Sequence, residues 1–174
     1  MVAKSQAEAV SRGRLALRPS TARGLENGFA MLSRFFPGGK EILAALEEEL
    51  IEAVVGPVVP GKARVFEDQY ISTGGQYFEL MSGRDRFNAD VRGCLDRLMA
   101  RRGRALGITC HPYDACTALI AQEAGVEITD ARGGPLDVPL DTTTPVSWIA
   151  YANPHLRALV EPVMRRLMRK HGLR

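Results

Sequence analysis

Residues 110–125 restrict the fold more than any other stretch of the chain. Pro112 comes early, Asp114 follows two residues later, an alanine-rich run comes next, and Gly125 closes it. That pattern predicts one short helix with its start at Pro112 and its stop at Gly125. Asp114 then falls in the first turn, where unpaired amides and the positive end of the helix dipole keep a carboxylate ionised. In that form it can cap the helix or hold a hard cation, and capping alone accounts for it. Residues 126–130 alternate apolar and polar before Arg132, Gly133, Gly134 and Pro135. A strand therefore leaves the helix and stops at a turn.

The remaining pattern alternates in the same way. Residues 28–36 read as a strand ending at Pro37, Gly38 and Gly39. From 40 to 55, Ile42, Leu43, Leu46, Leu50, Ala53 and Val54 recur at helical steps, and Gly56 and Pro57 end the run. Glu47, Glu48 and Glu52 are assigned to the opposite, solvated side. The consecutive acids Glu47, Glu48 and Glu49 point about 100° apart and cannot converge on one ion without partners from elsewhere. A short strand is expected at 63–66. Ser72 and Thr73 are ready N-caps for two helical turns closed by Gly83. A strand follows at 86–92, and Leu95, Leu98 and Met99 mark a further helix. The last two elements are a strand at 147–151 and a long amphipathic helix begun by Asn153 and Pro154, in which Pro162 is expected to introduce a kink. The sum is an α/β chain: a mixed β-sheet of about five strands flanked by helices. Residues 1–27 lack a sustained period and are assigned as a loosely ordered arm or stub, leaving 28–174 as the folded domain.

Composition narrows the function classes. A chain of 174 residues can bury a substantial core as one domain. Its net charge of +3 comes from local clusters near each end that are not interleaved with aromatic residues, so a nucleic-acid platform is not expected. No apolar run approaches the roughly 20 residues of a membrane span, and the opening residues lack a signal-peptide core. No membrane association and a cytoplasmic location are the resulting expectations. The cysteines, Cys94, Cys110 and Cys116, form no Cys-x-x-Cys pair. Reduced thiols are expected, with Cys116 packed as a small apolar residue, and a zinc site lacks its four soft ligands.

The order Pro112, Tyr113, Asp114, small-residue helix, Glu123-Ala124-Gly125, strand, Asp130 and Gly133, followed by Ala152-Asn153 and a terminal helix, resembles the carboxyl-terminal half of the inositol monophosphatase superfamily. Its members are magnesium-dependent, lithium-sensitive phosphatases acting on phosphate monoesters of inositols, fructose bisphosphate or phosphoadenosine nucleotides. The resemblance runs from about residue 70 to the end and is most specific between His111 and Gly133. It implies that Asp114 is a magnesium ligand. It also implies that the turn at Ser72, Thr73 and Gly74 binds substrate hydroxyls, although Gly74-Gly75 replaces the family's alanine pair. Asp90 takes the place of a strand-end acid that accepts from substrate hydroxyls, and a strand-end acid in water reads equally well. The residues between Asp90 and Gly107 are an insertion relative to the small inositol phosphatases, and its basic Arg101, Arg102 and Arg104 offer a cation for a second phosphate.

The family's amino-terminal metal motif, Asp-Pro-(Ile/Leu)-Asp-Gly-(Thr/Ser), does not occur, since the chain contains no Asp-Pro. One carboxylate cannot hold a magnesium cluster, so no catalytic residue is assigned. Three readings follow: half of a phosphatase of phosphorylated polyols or sugars, a non-catalytic polyol, phosphate or protein-binding domain, and a structural fragment stabilised by oligomerising. A half-molecule exposes an apolar face, which predicts homo-oligomers or association with an amino-terminal half.

Overall fold

The computed structural model describes residues 16–68 and 70–174. Five strands, β1 (Gly28–Leu32), β2 (Val65–Phe66), β3 (Asp85–Asp90), β4 (Glu127–Asp130) and β5 (Trp148–Tyr151), form one sheet in the order β2-β1-β3-β5-β4. β1 runs parallel to both β2 and β3, while β5 lies antiparallel to β3 and β4. The helices are α1 (Lys40–Val55), α2 (Thr73–Met81), α3 (Arg92–Arg101), α4 (Ala118–Glu123) and α5 (Pro154–Lys170). The expected mixed five-stranded sheet flanked by helices is therefore present.

The chain's handedness distributes the helices. Moving from β1 to β2 and then back across β1 to β3 reverses the lateral direction, and right-handed crossovers then place α1 and α2 on opposite faces. Accordingly α1 packs with α5, and α2 packs with α4. Central β3 is buried on both sides, as a strand between two helical layers must be. The core joins Leu43, Leu46 and Leu50 of α1, Val160 and Met164 of α5, and a ring cluster on the other side. There Tyr77 meets Trp148 at 4.7 Å, whereas Phe87 meets Tyr151 at 5.7 Å on the opposite face, toward α5.

Several elements differ from expectation. Residues 16–27 are pinned to the domain: Leu25 is buried, Asn153 Nδ2 donates to the carbonyls of Ser20 and Ala22, and Arg86 donates to those of Gly24 and Glu26. Residues 1–15 of the expected arm lie outside the described residues. The helix expected from Pro112 begins at Ala118 instead. Residues 112–117 form tight turns in which Asp114 N donates to His111 O and Ala115 N to Pro112 O. The antiparallel bridge between Cys110 and Val146 holds the chain extended just before them. Cys116 is exposed rather than packed, while Cys94 and Cys110 are buried free thiols. α5 continues through Pro162 as one helix, which a kink there also allows. Gly93 at the start of α3 permits the close approach of the 146–147 segment, since a Cβ there would sit 2.8 Å from Val146 O. No helix among the described residues is long and apolar enough to cross a membrane.

Candidate functional site

Parallel strands direct their carboxyl ends to one edge of the sheet, and a crevice opens where successive connections leave in opposite directions. Here that point lies between β1, which leads to β2 on one side, and β3, which leads away to β4 and β5 on the other. Arg34, Phe35 and Phe36 follow β1, Asp90 ends β3 and Arg92 follows it. The crossover helix α2 also begins at this edge.

Ser72 caps α2 as its sequence predicts, its Oγ accepting from Gly75 N at 2.9 Å. The next residue, Thr73, is buried and its Oγ1 lies 3.6 Å from Cys110 Sγ. Gly74 brings the helix start against residue 117, where a Cβ on it would lie 3.5 Å from Thr117 Oγ1. The second glycine has a steric reason: a Cβ on Gly75 would lie 2.3 Å from the Tyr70 ring and 2.9 Å from the capping Ser72 Oγ.

Asp114 belongs to the same constellation, although it does not sit in a helical first turn. Its Oδ2 accepts from His111 N at 2.9 Å and lies 3.9 Å from His111 Nδ1. Cys110 Sγ, in contact with Thr73, is also 3.6 Å from His111 O. A continuous path of contacts thus runs from the Ser72 turn through Cys110 and His111 to Asp114. Burial pushes the Cys110 thiol up to about 12, and the charges of Asp90 and Asp114 add to the shift. The group therefore remains a neutral thiol at ordinary pH. His111 stacks on the exposed Tyr113 at 5.6 Å with an interplanar angle of 11°. Thr117 Oγ1 and His111 Nδ1 are buried without a protein partner, which leaves polar capacity facing the site.

Asp90 is 0% exposed. Its carboxylate accepts from Arg92 Nε at 3.0 Å and Nη2 at 2.5 Å, and from Arg92 N at 3.0 Å. The guanidinium lies against a corner of two edge-to-face aromatic rings, 5.5 Å from the Phe35 centroid and 5.4 Å from that of Phe36. Both Asp90 oxygens are thus occupied by Arg92 donors. Sequence reasoning missed Arg92, although an arginine two residues beyond a strand-end acid is a legible signal for such a pair.

The basic insertion is α3. Leu95, Leu98 and Met99 are buried as its spacing predicts, while Arg101 donates to Gly172 O and Arg104 lies 3.7 Å from Glu41. These two arginines are thus partly committed to contacts within the chain.

Magnesium requires several convergent oxygen donors. Among the described residues no group of three or more His, Cys, Asp or Glu side chains converges so as to hold a metal ion. Asp114 offers one carboxylate already bonded to an amide, and Asp90 is committed to Arg92. The described residues alone therefore do not fit a magnesium cluster.

No family model matches the sequence, and no curated protein matches it. Solved structures do. The extragenic suppressor protein SuhB from Bartonella henselae superposes with a TM-score of 0.53 at 20% identity, covering 86% of this chain and 46% of that one. Inositol monophosphatase-II from Staphylococcus aureus gives 0.52 at 14% identity, over 91% of this chain and 49% of that one. The inositol monophosphatase from Anabaena gives 0.51 at 14% identity, over 88% and 48% respectively. The chain spans about half the length of these structures, and its fold is that of half of an inositol monophosphatase.

Proposed function

We propose that this chain supplies the substrate-binding half of a magnesium-dependent phosphomonoesterase acting on an inositol phosphate or sugar bisphosphate. In this reading Ser72, Thr73 and Gly74 present the start of α2 to ligand oxygens, Asp90 accepts from a substrate hydroxyl, and Asp114 contributes one metal ligand. The reading is supported by the chain of contacts that links Thr73 through Cys110 and His111 to Asp114, in a fold matched by half of a phosphatase. Further carboxylates must come from outside the described residues. Phosphate release from inositol monophosphate with magnesium tests this. The chain alone should be inactive, and a chain carrying the Asp-Pro-(Ile/Leu)-Asp-Gly motif should restore turnover that Asp114→Asn abolishes. Turnover unaffected by Asp114→Asn would refute the assignment.

A second reading, a polyol or phosphate-binding domain without hydrolysis, is favoured by the lack of a three-donor group among the described residues. Binding without release in every combination would select it.

The completing chain, or a further copy of this one, would cover the outer side of the α2–α4 layer. Phe78, Leu119 and Ile120 are exposed there, whereas Tyr77, Leu80 and Ala121 of the same helices are buried. A helix layer apolar on both sides is the pattern of an interior layer. Sedimentation should show concentration-dependent association that Leu119→Lys with Ile120→Lys removes, and a monomer at all concentrations would count against self-association.

A further inference from the structure

We propose that the cleft beside the carboxyl ends of β1 and β2, away from the Asp114 site, binds a small organic cation carried on an apolar chain, such as an alkylammonium ion. The cleft encloses about 380 Å³, within the range of small-ligand sites. Ala30, Ile51, Val55, Val58, Val65 and Phe66 give it apolar walls, Val58 being exposed and Phe66 partly exposed beside Phe29.

The polar groups in the cleft set the sign of the ligand. Arg34 Nη1 donates to Glu47 Oε2 and to Glu67 Oε1, both at 2.5 Å, and Nη2 donates to Glu67 Oε2. Glu47 Oε1 also accepts from Leu32 N at 2.9 Å, which fixes the carboxylate at the end of β1. One guanidinium therefore serves two carboxylates, leaving a surplus negative charge against apolar walls, where a second cation is favoured. On the rim, Glu48, Glu52 and Lys62 add no net positive charge and Arg64 is already paired with Glu26 at 3.0 Å, so the surplus is not cancelled. An ammonium group fits beside Glu47 and Glu67 while its chain displaces water from the valine-rich wall. Burial pushes Glu47 up to about 7, with Glu67 and Glu48 adding to the rise and Arg34 and the Leu32 amide opposing it. Below about pH 7 a proton thus occupies the carboxylate when no cation does, and it competes with the ligand.

Calorimetric titration of the full chain with hexylammonium, using hexanol as the neutral control, tests the proposal independently of any phosphatase activity. Hexylammonium should bind saturably at pH 8, at least about tenfold more tightly than hexanol, and about tenfold more weakly at pH 6 because of proton competition. Glu47→Gln should remove the preference for the ammonium ion and the pH dependence. If that variant fails to fold, Ala44→Trp, at an exposed position of α1 lining the cleft, should block binding while leaving the carboxylates in place. Equal affinity for hexanol and hexylammonium, no saturable binding at pH 8, or undiminished binding by Ala44→Trp would overturn the proposal.

Discussion

Replacing Arg92 with methionine is expected to lower stability at pH 7 by about 3–5 kcal/mol, the usual cost of removing one partner from a buried ion pair. Asp90 would be left with its carboxylate buried at the end of β3, where Arg92 now supplies two side-chain donors. The stacking of the guanidinium on Phe35 and Phe36 would be lost as well. For a chain of this size the loss corresponds to a fall in Tm of roughly 10 °C. Adding Asp90→Leu to Arg92→Met should recover most of the loss, because it removes the unpaired buried charge. Equal losses in the single and double variants would mean that packing around Arg92, not its charge, holds the crevice together.

The second large effect is a fall in stability as pH rises through the weakly acidic range. Asp85, almost wholly buried at the start of β3, is pushed from its ordinary 3.8 to about 6. Burial is the main cause, Asn88 Nδ2 donating at 2.8 Å opposes it, and Glu79 and Asp68 add to it. An acid with a raised pKa in the folded state binds its proton more tightly there than in the unfolded chain. Its contribution is therefore complete below about pH 4 and is lost as pH rises to about 6. The shift corresponds to about 3 kcal/mol. Urea denaturation at pH 4.5 and pH 7 should reveal the loss, with Glu47 extending it toward neutrality. Asp85→Asn keeps an oxygen acceptor for Asn88 and should flatten the profile while raising stability at pH 7. An unchanged slope in that variant would assign the pH dependence to other groups.

Legibility varied with how local the determining interactions are. α1 could be bounded to the residue because Gly39, in the left-handed region at φ 71°, and Gly56, at φ 98°, flank an uninterrupted apolar stripe. The Ser72 cap and the Asn153-Pro154 start were readable for the same reason, since a side chain a few residues away satisfies each helix end. The start of α4 was not. Its position depends on the bridge from Cys110 to Val146, a partner 36 residues away that holds the chain extended and leaves room only for tight turns before Ala118. Glu47 failed differently: it neighbours Leu43 and Leu50 around the helix and borders the buried stripe, so it turns toward Leu32 and Arg34 instead of water. The 16–27 segment lacks any periodicity of its own and is ordered by Asn153 and Arg86, residues far along the chain. At the candidate site, Asp114, Asp90 and the Ser72 turn could be named from sequence, but the closing of Arg92 onto Asp90 required the fold.

The claim on which the function rests is that the Ser72 turn and Asp114 form one ligand-binding surface. Amide NMR of the full chain, titrated with inositol monophosphate in the presence and absence of magnesium, addresses it most directly. Perturbations should cluster at residues 72–75 and 110–118, and the magnesium-dependent part should disappear in Asp114→Asn. Perturbations confined to other regions, or a magnesium response indifferent to that substitution, would contradict the account.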